Sequence, residues 1–377
     1  MKTFKINSKE LSSKLTQVVG IINPTNTMPV LENVLFQCID NSKMLLTASD
    51  LESTLTIESK AEFKEAFEFL TPGKILLDIV KTFSDQSLTF EVKDKGVLEI
   101  SSTNGTYELT HYDSKEFPTM PIIENSSTFE IDSEVLTDSL SKTMNSLAVD
   151  ELRPTLTGVL VQMFDGQVNF VSTDGNKLVY IQNEVQNSKE GIEFILPKKP
   201  ASILNQFAST YDEVVTVVYN NTNASFRMNG LELVCRLIDG KYPNYKVVIP
   251  PNEKELVIYR KNLIQSIVRI VKFANKTSNQ IALRVVMGEL HVAAENIEYS
   301  NRGVERLDCS WSEKEDFEIG FNGRFLLEIL KLIPSTDVLI KLSTEQRAAL
   351  IYPIENGAPN EKHLSLVMPV LLTKTQK

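Results

Sequence analysis

One pattern opens three times along this chain of 377 residues, and it restricts the fold more than any other feature. An alternating, strand-like start, Phe4-Lys5-Ile6, recurs as Phe129-Glu130-Ile131 and Leu256-Val257-Ile258, 125 and then 127 residues later. Seven residues into each copy stands a leucine (Leu11, Leu136, Leu263), and four further on another aliphatic (Leu15, Leu140, Ile267). Apolar residues then continue at steps of three and four, which places them on one helical face. Each copy therefore begins strand, then amphipathic helix.

The next elements recur as well. Val34-Leu35-Phe36-Gln37 and Met44 to Asp50 flank a polar turn at Asp40-Asn41-Ser42. Val159 to Gln162 and Val168 to Asp174 flank Asp165-Gly166, and Leu283 to Val286 and Leu290 to Glu295 flank Gly288-Glu289. Short alternating runs joined by Asp, Asn or Gly predict hairpins. A second helix is expected after Pro72, Pro197 and Asn322, each 125 residues from the next; proline or asparagine suits a helix start. Three copies of about 125 residues, each with two helices on antiparallel strands, predict an α+β chain of three tandem domains, 1–126, 127–252 and 253–377.

The formal net charge is −10, which by itself speaks against a nucleic-acid partner. Its distribution says otherwise. The six expected helices, 8–22, 72–84, 133–148, 197–210, 260–277 and 322–333, together carry +9, leaving −19 for the rest. The fifth holds Lys261, Gln265, Arg269, Lys272 and Lys276 at steps of four, four, three and four, a basic stripe opposite Leu263, Ile267 and Val271. Lys9, Lys14, Lys74, Lys81, Lys142, Lys198, Lys199, Arg324 and Lys331 are spread over the others. For one helix, a solvated face explains this equally well. For all six together, the pattern points to a shared electropositive surface that touches a polyanion along its phosphates without reading bases.

Other chemistry has little support. The start of the chain has no apolar segment of signal-peptide type, and no apolar run reaches the roughly 20 residues of a membrane span, so a cytoplasmic protein is expected. Cys38, Cys235 and Cys309 lie far apart without metal or disulfide spacing. His111, His291 and His363 have no ligand spacing, and neither a phosphate loop nor a nucleophile elbow is present. No metal or cofactor is expected. Asp50, Asp174 and Glu295 recur at one place in each copy; they read as structural turn residues or, alternatively, as the carboxylates of a metal-dependent nuclease. A scaffold for protein assembly that never meets DNA is a third reading.

Several motifs, in order and spacing, resemble the bacterial sliding clamp, the DNA polymerase III beta subunit family, over the whole chain. They are Met28-Pro29-Val30-Leu31 with Leu35, Thr47-Ala48-Ser49-Asp50-Leu51-Glu52, Phe117-Pro118, Val171-Ser172-Thr173-Asp174-Gly175, Asp239-Gly240-Lys241-Tyr242-Pro243-Asn244-Tyr245, Phe321-Asn322 and Val367-Met368-Pro369. The resemblance implies a head-to-tail homodimer closed into a ring around duplex DNA, with helices lining the hole. Such a ring tethers the polymerase III catalytic subunit, the clamp loader and repair proteins, and confers processivity without catalytic activity of its own. It also implies one peptide groove per chain, at Arg153, Leu156, Thr173, Gly175, Asn176, Lys177, Leu178, Pro243, Val247, Val248, Leu366, Val367, Met368, Pro369 and Val370. Read from the residues alone, Val367 and Met368 could equally be core strand. Asn176-Lys177 stands where the family often has His-Arg, Val247 where a basic residue is common, and Thr25 where another is usual. The tail continues past the motif as Leu371 to Lys377. Tyr107 and Phe273 match apolar contacts of the family's ring interface.

Overall fold

The computed structural model describes residues 2–23, 28–40, 42–121, 123–150, 152–164, 166–185, 191–208 and 214–372. Thr25, Asn41, Asp165 and the tail from Thr373, used in the reading above, lie outside them. The described residues hold six α-helices: α1 (Ser8–Val19), α2 (Gly73–Val80), α3 (Ser133–Thr143), α4 (Lys198–Ala208), α5 (Arg260–Ile270) and α6 (Gly323–Leu332). Each follows directly on a strand, as the repeat predicts.

Local chemistry fixes the helix starts. Asn7 caps α1, its side-chain oxygen accepting the amides of Lys9 and Glu10, and Asn322 caps α6 through the amide of Arg324. Both satisfy donors that the first helical turn leaves open. Each helix then buries one stripe: Leu11, Leu15 and Val18 in α1, Leu263, Ile267 and Ile270 in α5. Gly73 opens α2 because no larger residue fits; a Cβ there would stand 2.6 Å from a methyl of Val34.

The fifth helix is shorter than expected. It ends at Ile270, and Val271–Phe273 tightens into a 3-10 turn. Asn275 then accepts the amide of Thr277 at 2.9 Å, closing an Asx turn that competes with helix continuation. Lys272 and Lys276 therefore sit beyond α5 rather than on it.

All strand pairings between named strands are antiparallel. The chain divides into two compact units, Met1–Glu134 with Gln206–Leu237, and Val135–Asn205 with Ile238–Lys377. The middle repeat is thus split between them. In the first unit its strand Leu231–Arg236 pairs with Ser53–Lys60 of the first repeat, making an eight-stranded sheet. In the second unit its strand Lys177–Glu184 pairs with His363–Val367 of the third repeat, making a ten-stranded sheet. Unpaired strand edges are exposed, and pairing across the repeat boundary covers one edge of each repeat at these two junctions.

Each unit also carries a five-stranded sheet. The first runs from Glu62–Phe63 to an edge strand Thr106–Thr110, the second from an edge strand Asn301–Asp308 to Pro369–Val370. In the first unit Phe4 stacks on Phe90 at 4.6 Å and Phe36 on Phe69 at 5.0 Å. Each is a cross-strand pair within one sheet, and Phe4 joins the two sheets through Phe36 at 6.2 Å and Phe69 at 6.1 Å; such pairs add about 0.5–1.5 kcal/mol beyond the area they bury.

Candidate nucleic-acid face and peptide groove

Most of the expected basic residues are exposed on the helices or just beyond their ends. Lys9 and Lys74 are exposed in the first unit; Lys198, Lys261, Lys272, Lys276, Arg324 and Lys331 are exposed in the second. Lys81 follows α2 directly and is exposed, while Lys14, Lys142 and Lys199 are half-buried. Some of the expected contacts are already engaged within the chain. Lys9 pairs with Asp85 at 3.0 Å and Lys142 with Asp138 at 2.5 Å. Arg269 makes a bidentate pair with Glu305, both contacts 2.6 Å. This hydrogen bond holds the Glu305 carboxyl below its usual range.

The groove residues assemble in the second unit. Leu178 pairs with Leu366 and Lys177 with Val367 across the two strands. Leu156, Leu178 and Leu366 belong to one core cluster with Tyr242 and Tyr245, and Val367 is fully buried. The amide of Met368 donates to the carbonyl of Asn176 at 2.7 Å, tying the end of one strand to the start of the other. Thr173 accepts from the amide of Gly175 at 3.1 Å and donates to the carbonyl of Lys177 at 2.8 Å. Gly175 has φ +89°, and a Cβ there would lie 3.3 Å from the Arg153 guanidinium. Glycine is suited to that conformation. Exposed apolar surface comes from Val247 (75%), Val248 (50%) and Met368 (39%), with Pro243 also exposed. Pro369 and Val370 turn away to pair with Phe321 and Gly320.

Lys177, expected among the groove residues, is only 5% exposed. Its ammonium donates to the carbonyl of Asn145 at 2.7 Å and meets the carboxylate of Glu328 on α6. Phe325 of α6 lies below it, 5.6 Å from the ring centre. These three partners were not among the expected residues, and nothing in the sequence marks a contact spanning 151 positions. Asp174 turns the chain ahead of Lys177, accepting the amides of Asn176 and Lys177. Asp50 does the same for Glu52 and Ser53. In the third repeat the capping acceptor is Asn296, which takes the amide of Glu298, while Glu295 lies within a strand. Among the described residues no three His, Cys, Asp or Glu are placed to hold a metal.

Tyr107 lies on the edge strand Thr106–Thr110, its ring edge-on to Phe83 at 5.4 Å. Phe273 lies under the other edge strand; a Cβ on Gly303 would stand 2.8 Å from its ring. Both expected interface residues therefore flank an unpaired sheet edge, one in each unit.

Residues 1–121, 130–244 and 246–370 match in turn the N-terminal, central and C-terminal domains of the DNA polymerase III beta subunit. The chain belongs to the DNA polymerase III beta subunit family. Its architecture is three tandem clamp domains, and its function is that of a processivity clamp for DNA polymerase. It is 24% identical over 381 residues to the beta sliding clamp of Halalkalibacterium halodurans, covering 97% of this chain and 99% of that one. The beta sliding clamp of Haemophilus influenzae is 26% identical over 360 residues, covering 94% and 97%. A Pseudomonas aeruginosa sliding clamp solved with griselimycin superposes with a TM-score of 0.93 at 27% identity, covering 98% of this chain and all of that one. Among the described residues no helix is long and apolar enough to cross a membrane.

Proposed function

We propose that two copies of this chain close head to tail into a ring around duplex DNA, in the cytoplasm, with the helices toward the DNA. The ring acts by enclosure, without catalytic activity or a cofactor of its own. It holds the polymerase III catalytic subunit, the clamp loader and other proteins through a peptide groove on each chain. The repeats 1–126, 127–252 and 253–377 are its domains. The carrying observation is the segregation of charge: exposed lysines and arginines on the helices or just beyond their ends, in an otherwise acidic chain. Contacts to phosphates alone are indifferent to sequence and permit sliding.

The groove reading rests on exposed Pro243, Val247, Val248 and Met368 above a floor of Leu156, Leu178, Leu366 and Val367. An apolar pocket of this kind suits aliphatic and aromatic anchors, and a methionine at its mouth repacks around different partners. Thr173, Gly175, Asn176 and Arg153 supply the polar margin.

The test is charge reversal. Lys261, Lys272 and Lys276 are replaced together by glutamate, leaving Arg269, because its partner Glu305 belongs to a sheet edge. Primer extension with the loader and polymerase should then lose its long products while the variant keeps its circular-dichroism spectrum and melting temperature. Long products of undiminished length would refute the assignment of this face to DNA.

A further inference from the structure

Two residues along the strands from the groove floor, the sheet opens into a second cavity of about 360 Å³. Tyr180 pairs with Leu364 just as Leu178 pairs with Leu366, so the cavity lies on the same sheet face, roughly 7 Å further along. Its walls are aromatic. The rings of Tyr180 and Tyr245 stand 6.0 Å apart, and Tyr352 faces the same space. Ile249 and Leu364 add aliphatic lining, and exposed Glu361 completes it. The Tyr180 hydroxyl donates to Asn169 at 2.8 Å and that of Tyr245 to Gln162 at 3.0 Å. With the hydroxyls so engaged, the ring faces are what the cavity offers.

Tyrosine faces beside a carboxylate suit a cation. Glu361 supplies a carboxylate to the lining, and burial first, then that negative charge, raises the Tyr352 phenol above its ordinary range. The ammonium of Lys341, paired with Glu255 at 3.4 Å, already lies 5.8 Å from the Tyr352 ring centre. One cation also lines the cavity, Lys246, and its ammonium lies 5.0 Å from the centre of the Phe164 ring.

We propose that this cavity receives one arginine or lysine side chain of a partner peptide whose apolar anchors occupy the adjoining groove. The proposal rests on the groove reading above. It adds a specificity site: partners carrying a basic residue beside the anchor are preferred, in keeping with the acidic surface outside the helices.

Fluorescence polarisation of the full-length protein tests it, using synthetic peptides that share one aliphatic-aromatic anchor and carry either arginine or glutamine at its flanks. The arginine peptide should bind about 3–10-fold more tightly, a gain that weakens with salt. Glu361→Gln and Tyr352→Leu should each remove that gain and leave the glutamine peptide's affinity unchanged. Equal affinities on the unaltered protein, or a gain that survives both substitutions, would overturn the proposal. If neither peptide binds, the groove reading falls, and the cavity is decided separately with arginine amide. A saturation-transfer signal lost in Glu361→Gln upholds it, and no signal overturns it.

Discussion

Two buried ionisable residues carry different consequences. His363 opens its strand opposite Ile181 and is buried. Burial, and then the charge of Lys142, push its imidazole down to about 4, against a smaller opposing pull from Asp138. The unfolded chain, with an ordinary imidazole, binds the proton first. Stability from this group is therefore complete above about pH 6.5 and is lost as pH falls toward 4. Between pH 7.5 and pH 5 the loss should be on the order of 2 kcal/mol. Urea midpoints at those two values should separate less in His363→Leu than in the unaltered protein; an equal separation would assign the acid sensitivity elsewhere. Lys177 is a different case, an enclosed side chain paired with a more exposed carboxylate. Glu328 is about half exposed, Lys177 almost wholly enclosed. Glu328→Gln leaves the enclosed ammonium with the more distant Asp174 carboxylate at 3.9 Å and the Asn145 carbonyl, whereas Lys177→Met leaves a carboxylate that water can reach. Removing one partner of a pair costs more when the survivor is the buried one. Glu328→Gln should therefore destabilise more than Lys177→Met, read as denaturant midpoints, and the opposite order would contradict the burial of Lys177.

At the level of elements, the sequence carried the helices well because their signals are local. Asn7 and Asn322 announce starts, and steps of three and four announce faces. The end of α5 was harder to read. Val271, Lys272 and Lys276 continue the helical period, but Asn275 offers the backbone an alternative partner and wins. Strands inside each repeat were legible from alternation and turn residues. The pairings that join repeats, Leu233 with Leu55 and Leu178 with Leu366, were not. An edge strand that meets another repeat has the same alternation as one that meets its own hairpin partner, so pattern alone does not say where it pairs. The groove shows the same limit. Its floor residues are legible only as apolar strand positions, and what makes them a site is the approach of a segment more than 180 positions away in the chain, from Lys177 to Val367. Lys177 reads in the sequence only as a groove position, and its enclosure by Asn145, Phe325 and Glu328 makes it an internal tie.

For the whole molecule, we propose that two of the open sheet edges carry the contact between copies. Thr106–Thr110 and Asn301–Asp308 are strands of five and eight residues whose outer sides lack a partner among the described residues. Glu108 stands on one, Arg302 and Arg306 on the other, so antiparallel addition of one edge to the other can bring opposite charges together. This contact joins different surfaces of the two copies, and such contacts either close into a ring or grow into open chains. A ring of two has two identical seams, and on this proposal each takes Tyr107 from one copy and Phe273 from the other. Sedimentation should show mass stopping at two 42.4-kDa chains as concentration rises. Tyr107→Ala and Phe273→Ala should each weaken the dimer by about 10-fold or more, since truncating an aromatic anchor typically costs above 1 kcal/mol. Because both residues serve the same seam, the double variant should lose less than the two single losses combined. Strictly additive losses would place Tyr107 and Phe273 in separate contacts, and mass that keeps growing beyond two chains would mean that the edges pair without closing.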